Sequence, residues 1–154
     1  ASDVYKRQYQ ALMRTEIDVD VVPDSHRFAK PKQDTIELFE RLMEVSDDSI
    51  RITPKMGLVD GLKKRGVTPL KRDCVCSTLT SIPDDFIHYS AYRPMTVREM
   101  ARLQSFDDSF VFQGKRQTGG NNRQKEIPQY TLVGNAVPPL MARAIANTLL
   151  KHIK

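Results

Sequence analysis

Arg93-Pro94-Met95-Thr96-Val97-Arg98-Glu99-Met100-Ala101-Arg102-Leu103-Gln104-Ser105-Phe106 and, further on, Gly134-Asn135-Ala136-Val137-Pro138-Pro139 are the stretches on which the fold turns. Each opens a helix. Thr96-Val97-Arg98-Glu99 has the form of a capping box. In it the Thr hydroxyl accepts from the backbone N–H at Glu99, and the Glu99 carboxylate reaches back to Thr96. The helix is predicted to run to about Gln104, with Val97, Met100, Ala101 and Leu103 as its apolar side. Pro138-Pro139 starts the second helix, because the first-turn N–H that proline lacks has no intrahelical partner anyway. Leu140, Ala144, Ile145, Leu149 and Ile153 recur at helical spacing and predict a buried stripe along it.

Between these blocks, Phe106, Phe110 and Phe112 follow one another in a turn-rich segment that is expected to plug the core. Residues 114–128 are polar and contain Gly119-Gly120-Asn121-Asn122, the composition of a surface loop. Upstream, Ser77-Thr78-Leu79-Thr80-Ser81-Ile82 and Phe86-Ile87-His88-Tyr89 read as two strands joined by a turn at Pro83-Asp84-Asp85. Residues 46–76 are punctuated by Pro54, Gly57, Gly61, Gly66 and Pro69, so short strands and turns are expected there. Asp34-Thr35-Ile36-Glu37 resembles an N-cap with a reciprocal carboxylate, and Ile36, Phe39 and Met43 predict a helix to about Val45. Residues 21–33 read as loop. Asp3-Val4-Tyr5-Lys6-Arg7-Gln8 matches one frame of a transposon-end sequencing adapter, which would start the genuine protein near Tyr9; a native helix start explains the same residues.

The chain has 154 residues, room for one ordinary domain or two small lobes. It is 40% hydrophobic and 28% charged, within the range of globular proteins. No apolar run is long enough to span a bilayer, and no signal-peptide pattern opens the sequence. The formal charge of +5 leans toward polyanionic partners. Placement matters more than the total. Lys63, Lys64, Arg65, Lys71 and Arg72 crowd one glycine-punctuated segment; Lys115, Arg116, Arg123 and Lys125 crowd another. Such clusters suit phosphate contacts, and a solvated surface accounts for them equally well. Cys74 and Cys76 are too close in sequence for a comfortable disulfide, and no Cys or His cluster completes a metal site. A reducing, cytoplasmic compartment is expected, without membrane or metal.

The two blocks together resemble the last two sequence motifs of the cytosine-C5 DNA methyltransferases. Arg93, Thr96, Arg98, Glu99, Ala101, Arg102, Leu103, Gln104, Phe106, Asp108 and Phe110 match the penultimate motif; Asp107 stands where the family usually has proline. Gly134, Asn135, Ala136, Val137 and Pro138 match the final motif, with Leu132 in place of its usual glutamine. The resemblance implies a mixed α/β fold. An irregular α+β target recognition domain would be joined to a C-terminal helix that completes a doubly wound methyltransferase domain, otherwise missing here. It divides the chain into a target recognition region at 1–92, a bracing helix and turn at 93–113, a basic loop and lead-in at 114–133, and a final cofactor-side motif and helix at 134–154.

It also implies roles. Arg98, Glu99 and Arg102 would brace the recognition domain as charges held in pairs. Gly134, Asn135, Ala136 and Val137 would line the S-adenosylmethionine pocket, with Asn135 offering both donor and acceptor to the amino-acid end of the cofactor. Thr78 or Thr80, with Thr78 favoured, would contact the backbone near an extruded cytosine, although β-branched residues packing in a strand fit as well. The basic clusters would touch phosphates of duplex DNA. The family's nucleophile, a Cys within Pro-Cys-Gln, is not among these residues, nor is Glu-Asn-Val or a glycine-rich cofactor turn. A C-terminal portion of a bacterial or phage-type enzyme is therefore expected, inactive alone. Alternatives are one subunit of a split enzyme, partnered by a separate catalytic chain, or a non-catalytic DNA-binding protein.

Overall fold

A computed structural model describes residues 3–18, 20–62, 66–118 and 125–153, with side chains from residue 8 onward. The chain divides into two units, residues 1–26 with 97–154 and residues 27–96. No helix among the described residues is long and apolar enough to cross a membrane.

The first unit holds α1 (Asp3–Met13), α3 (Val97–Leu103), α4 (Gln129–Gly134) and α5 (Pro139–Leu150). Val97, Met100 and Ala101 are buried along α3, as the spacing predicts, whereas Leu103, expected on the same side, is 43% exposed. The end of α3 is a Schellman motif. Ser105 takes a left-handed φ of 61°, the Phe106 N–H donates to the Ala101 carbonyl at 2.9 Å, and the Ser105 N–H to the Arg102 carbonyl at 2.9 Å. Serine there carries a Cβ strain that glycine would not. It recovers something with its side chain: Oγ accepts the Leu140 N–H of α5 at 3.1 Å. α4 packs on α3 and buries Gln129, Tyr130 and Val133. The rings of Phe106, Phe110 and Phe112 meet pairwise at 4.8–5.2 Å between centroids, with Phe112 buried and Phe110 half exposed.

α5 corrects one expectation. It begins at Pro139, but no residue of it is buried: Met141, Ile145 and Leu149 are 49–56% exposed, Ile153 beyond it 73%. Helical spacing identifies an apolar stripe, but burial needs a surface to pack against, and the described residues provide none.

The second unit is built on α2 (Gln33–Glu44) and a parallel pair, β1 (Thr68–Pro69) and β2 (Phe86–Ile87). Phe39, Leu42, Ile52, Leu62, Val67 and Ile87 form its core. Three expectations shift here. The helix starts at Gln33 with Lys32 at its cap position and no side-chain cap, so Asp34 lies inside the first turn, where a carboxylate still favours the helix dipole. Its buried residues are Phe39 and Leu42, whereas Ile36 and Met43 are only half-buried. Residues 77–82 form no strand, and β2 does not close a hairpin; it pairs with β1 in parallel, Thr68 beside Phe86 and Pro69 beside Ile87. The turn at Pro83–Asp85 is a 3₁₀ turn that redirects the chain rather than folding it back. An antiparallel bridge between Ile52 and Val67 brings residue 66 under the Arg51 side chain. A Cβ at Gly66 (φ 157°) would lie 2.8 Å from Arg51 Nε and 3.1 Å from the Ile52 carbonyl, so a side chain there would be strained and would displace Arg51.

Candidate functional site

Arg98 is fully buried, and its guanidinium is surrounded by carbonyl oxygens. Nε donates to Asp24 at 2.8 Å, one terminal nitrogen to Asp107 at 2.7 Å, the other to the Phe110 carbonyl, and its backbone N–H to Ser25 at 3.2 Å. The Phe112 ring lies 5.6 Å beneath. Burial pulls the Arg98 pKa below its ordinary value, opposed chiefly by Asp108 and Asp24. Arg98 is thus held by backbone rather than by a carboxylate partner, which corrects the expected pairing at this position. The reason is local: its neighbours are loop carbonyls left without intrahelical partners, and the five-donor fork can satisfy several at once.

Arg102 does form a pair. Nε and a terminal nitrogen contact the two Asp108 oxygens at 2.8 and 2.7 Å, with the Asp108 side chain fully buried and Arg14 3.9 Å away. These hydrogen bonds raise the Arg102 pKa, and Glu99 adds to the effect. Tyr9 Oη donates to the Arg102 carbonyl. Gln129 completes the framework, donating from Nε2 to the carbonyls of Phe112 (2.7 Å) and Gly114 (3.1 Å) and accepting from Ser25 Oγ (3.0 Å). Asp24, Ser25, Ser105 and Gln129 were not nominated from the sequence; Ser and Gln carry no pattern that announces a distant carbonyl. Asp108 was visible only as a motif position.

Gly134-Asn135-Ala136-Val137 forms the elbow between α4 and α5. Asn135 caps α4 through its backbone, with its N–H on the Thr131 carbonyl at 3.1 Å. Its side chain is exposed and makes no hydrogen bond among the described residues. Val137 is 61% exposed beside it. An open carboxamide next to an exposed apolar side chain, at the start of a helix, is a donor set that fits a zwitterionic amino-acid group linked to an apolar body.

The nominated nucleic-acid contacts scatter. Lys63, Lys64, Arg65 and Arg123 lie outside the described residues. Lys71 is occupied internally: Nζ donates to the Met43 carbonyl in the last turn of α2 at 2.9 Å, and its N–H to Ser49 Oγ at 2.9 Å. Arg72 is exposed, its guanidinium 4.9 Å from the Tyr89 ring. Lys115 pairs with Glu126 at 2.8 Å, which raises its pKa; Arg116 is half-buried. Thr80 Oγ1 donates to buried Asp85 at 2.9 Å, and the same carboxylate oxygen takes Arg51 at 3.1 Å, so this hydroxyl is committed. Thr78 is exposed. Burial pushes the Cys76 thiol up to about 11, away from the thiolate a nucleophile requires.

Residues 4–151 match a family described as C-5 cytosine-specific DNA methylase. The chain is 47% identical over 75 residues to type II methyltransferase M.DdeI of Desulfomicrobium norvegicum, covering 48% of this chain and 18% of that protein. It is 53% identical over 64 residues to type II methyltransferase M1.HphI of Haemophilus parahaemolyticus, covering 42% of this chain and 14% of the relative. It is 41% identical over 70 residues to type II methyltransferase M.AquIB of a Picosynechococcus strain, covering 45% of this chain and 50% of that one. The matched stretch is thus a small part of the first two relatives and half of the third. No solved structure matches the chain.

Proposed function

The chain belongs to the C-5 cytosine-specific DNA methylases, and from that premise we propose that it supplies the duplex-reading and closing elements of such an enzyme, with the reactive thiol on residues other than these. The observation that carries this reading is α5. A twelve-residue helix directly after the Asn135 elbow presents Met141, Ile145 and Leu149 to solvent, as a helix does when its packing surface belongs to other residues. Asn135 would orient the amino-acid end of S-adenosylmethionine, and Val137 would pack against the apolar part of the cofactor. The cofactor, when bound, provides the methyl group that passes to C5 of cytosine. Arg98 and Arg102 hold the loops at 24–25 and 107–110 in place, so that α3 presents a rigid support. Thr78 and the basic residues near 64 and 116 would contact the DNA backbone. Thr80 acts on the same loop from within, by fixing it to Asp85.

A split enzyme is the second reading. The M.AquIB match motivates it, since 70 aligned residues fill half of that relative, a far larger share than in the first two. Both readings meet one experiment. The purified chain is incubated with duplex DNA and labelled S-adenosylmethionine, alone and mixed with a separately produced amino-terminal portion of a relative carrying Pro-Cys-Gln. No transfer is expected from the chain alone, and transfer is expected from the mixture, with Asn135→Ala raising the KM for cofactor more than it lowers kcat. Turnover by the chain alone would overturn the proposal.

A further inference from the structure

Parallel pairing has a consequence that a hairpin would not. Two parallel strands leave a sheet at the same end, so the residues following each emerge side by side. β1 ends at Pro69 and β2 at Ile87, which are partners in register. The chain beyond β1 stays beside β2, with the Leu70 N–H on the Ile87 carbonyl at 3.0 Å. Lys71 then anchors the segment to the end of α2 and to Ser49. Arg72, three residues past β1, and Tyr89, two past β2, are both exposed, with the guanidinium 4.9 Å from the ring centroid. Beyond Tyr89 the chain folds on itself, with the His88 N–H on the Arg93 carbonyl at 3.0 Å. His88 and Tyr89 also stack at 4.4 Å between ring centroids. The platform under Arg72 is therefore fixed by backbone pairing and by a neighbouring ring.

Arg72 differs from the other described cations nominated for DNA. Lys71 is spent on a carbonyl and Lys115 on Glu126, whereas no hydrogen bond or ion pair to the Arg72 guanidinium occurs among the described residues. A guanidinium lying on an aromatic face keeps all its N–H donors at its edges while losing freedom to tumble. A phosphate, which presents oxygens in every direction, gains little from that restriction. A planar pair of acceptors at fixed separation gains from it, and the guanine edge in the major groove, O6 with N7, is such a pair.

We propose that Arg72, held over the Tyr89 ring, is a specificity-determining residue that reads one guanine of the target duplex. This deepens the duplex-reading function above and rests on it. The test uses the full chain at fixed salt, first to select from a pool of randomised duplexes, then to measure Kd for the preferred duplex and its single base-pair variants. One guanine whose replacement weakens wild-type binding about tenfold is expected. Arg72→Lys, which keeps the charge but not the fork, and Tyr89→Leu, which removes the platform, should erase discrimination at that position; Tyr89→Phe should retain it. Circular dichroism verifies that each variant is folded. If Arg72→Lys still prefers the same guanine, or if wild type binds all duplexes alike, the assignment is overturned while duplex binding stands. If wild type binds no duplex at all, the broader reading falls and the assignment with it.

Discussion

At the scale of single residues, the decisive group is Arg98. A buried, unpaired charge is among the most destabilising features a core can hold, and Arg98 escapes that penalty only because each nitrogen meets a carbonyl. Arg98→Met removes the charge but strands the Asp24 and Phe110 carbonyls in a buried site and leaves the Asp107 carbonyl only the Phe110 N–H at 3.3 Å. A loss of roughly 3 kcal/mol is expected, by the general cost of buried unsatisfied groups, read as a lower urea midpoint at unchanged slope. Arg98→Lys keeps the charge yet cannot reach Asp24, Asp107 and Phe110 together, so it should recover only part of that loss. A midpoint within experimental error of wild type for Arg98→Met would show that the carbonyls find other donors. Arg98 stood out in the sequence as one of three motif charges; that it binds backbone while Arg102 binds Asp108 was not legible, because both are arginines on one helix. What separates them is the direction each side chain leaves α3.

At the scale of elements, Ser105 joins two helices. Its backbone terminates α3 and its hydroxyl accepts from the first turn of α5. The two effects predict opposite signs. Ser105→Ala keeps the left-handed strain and deletes the cap, so it should destabilise by about 1 kcal/mol; Ser105→Gly deletes the cap but relieves the strain, and should be close to neutral. Thermal unfolding of the pair checks this, and equal losses in both would refute the strain argument. The exposed face of α5 makes a separate prediction. Ile145→Gln with Leu149→Gln should change stability by less than about 0.5 kcal/mol each, the usual scale for surface positions, while reducing self-association in light scattering. A stability loss several times larger would mean that the helix is packed after all.

At the scale of the whole molecule, net charge should govern the proposed encounter with DNA. The chain carries +5, but part of its basic surface is already neutralised, Lys115 by Glu126 at 2.8 Å. Glu126→Gln raises the net charge by one and releases that ammonium. Duplex binding should tighten, and the slope of log K against log salt should steepen by up to about 0.9, the increment for one further phosphate contact. The measurement is a salt titration of binding by fluorescence anisotropy. An unchanged slope would place Lys115 away from the DNA.

Local pattern determined a great deal here. The helices at 97–103 and 139–150 begin where capping and proline chemistry place them, and the family was readable from two short blocks whose residue types are unusual in combination. The open elbow at Asn135 was marked by the same residues. What only the tertiary structure decided are matters of long-range pairing: that Phe86–Ile87 lies parallel to Thr68–Pro69 and not against 77–82, that Lys71 turns inward while Arg72 stays out, and that the stripe on the last helix faces solvent. Periodicity records which residues prefer burial. Which surface covers them, and which carbonyl a given cation meets, depends on segments far away in the chain whose approach no local spacing encodes.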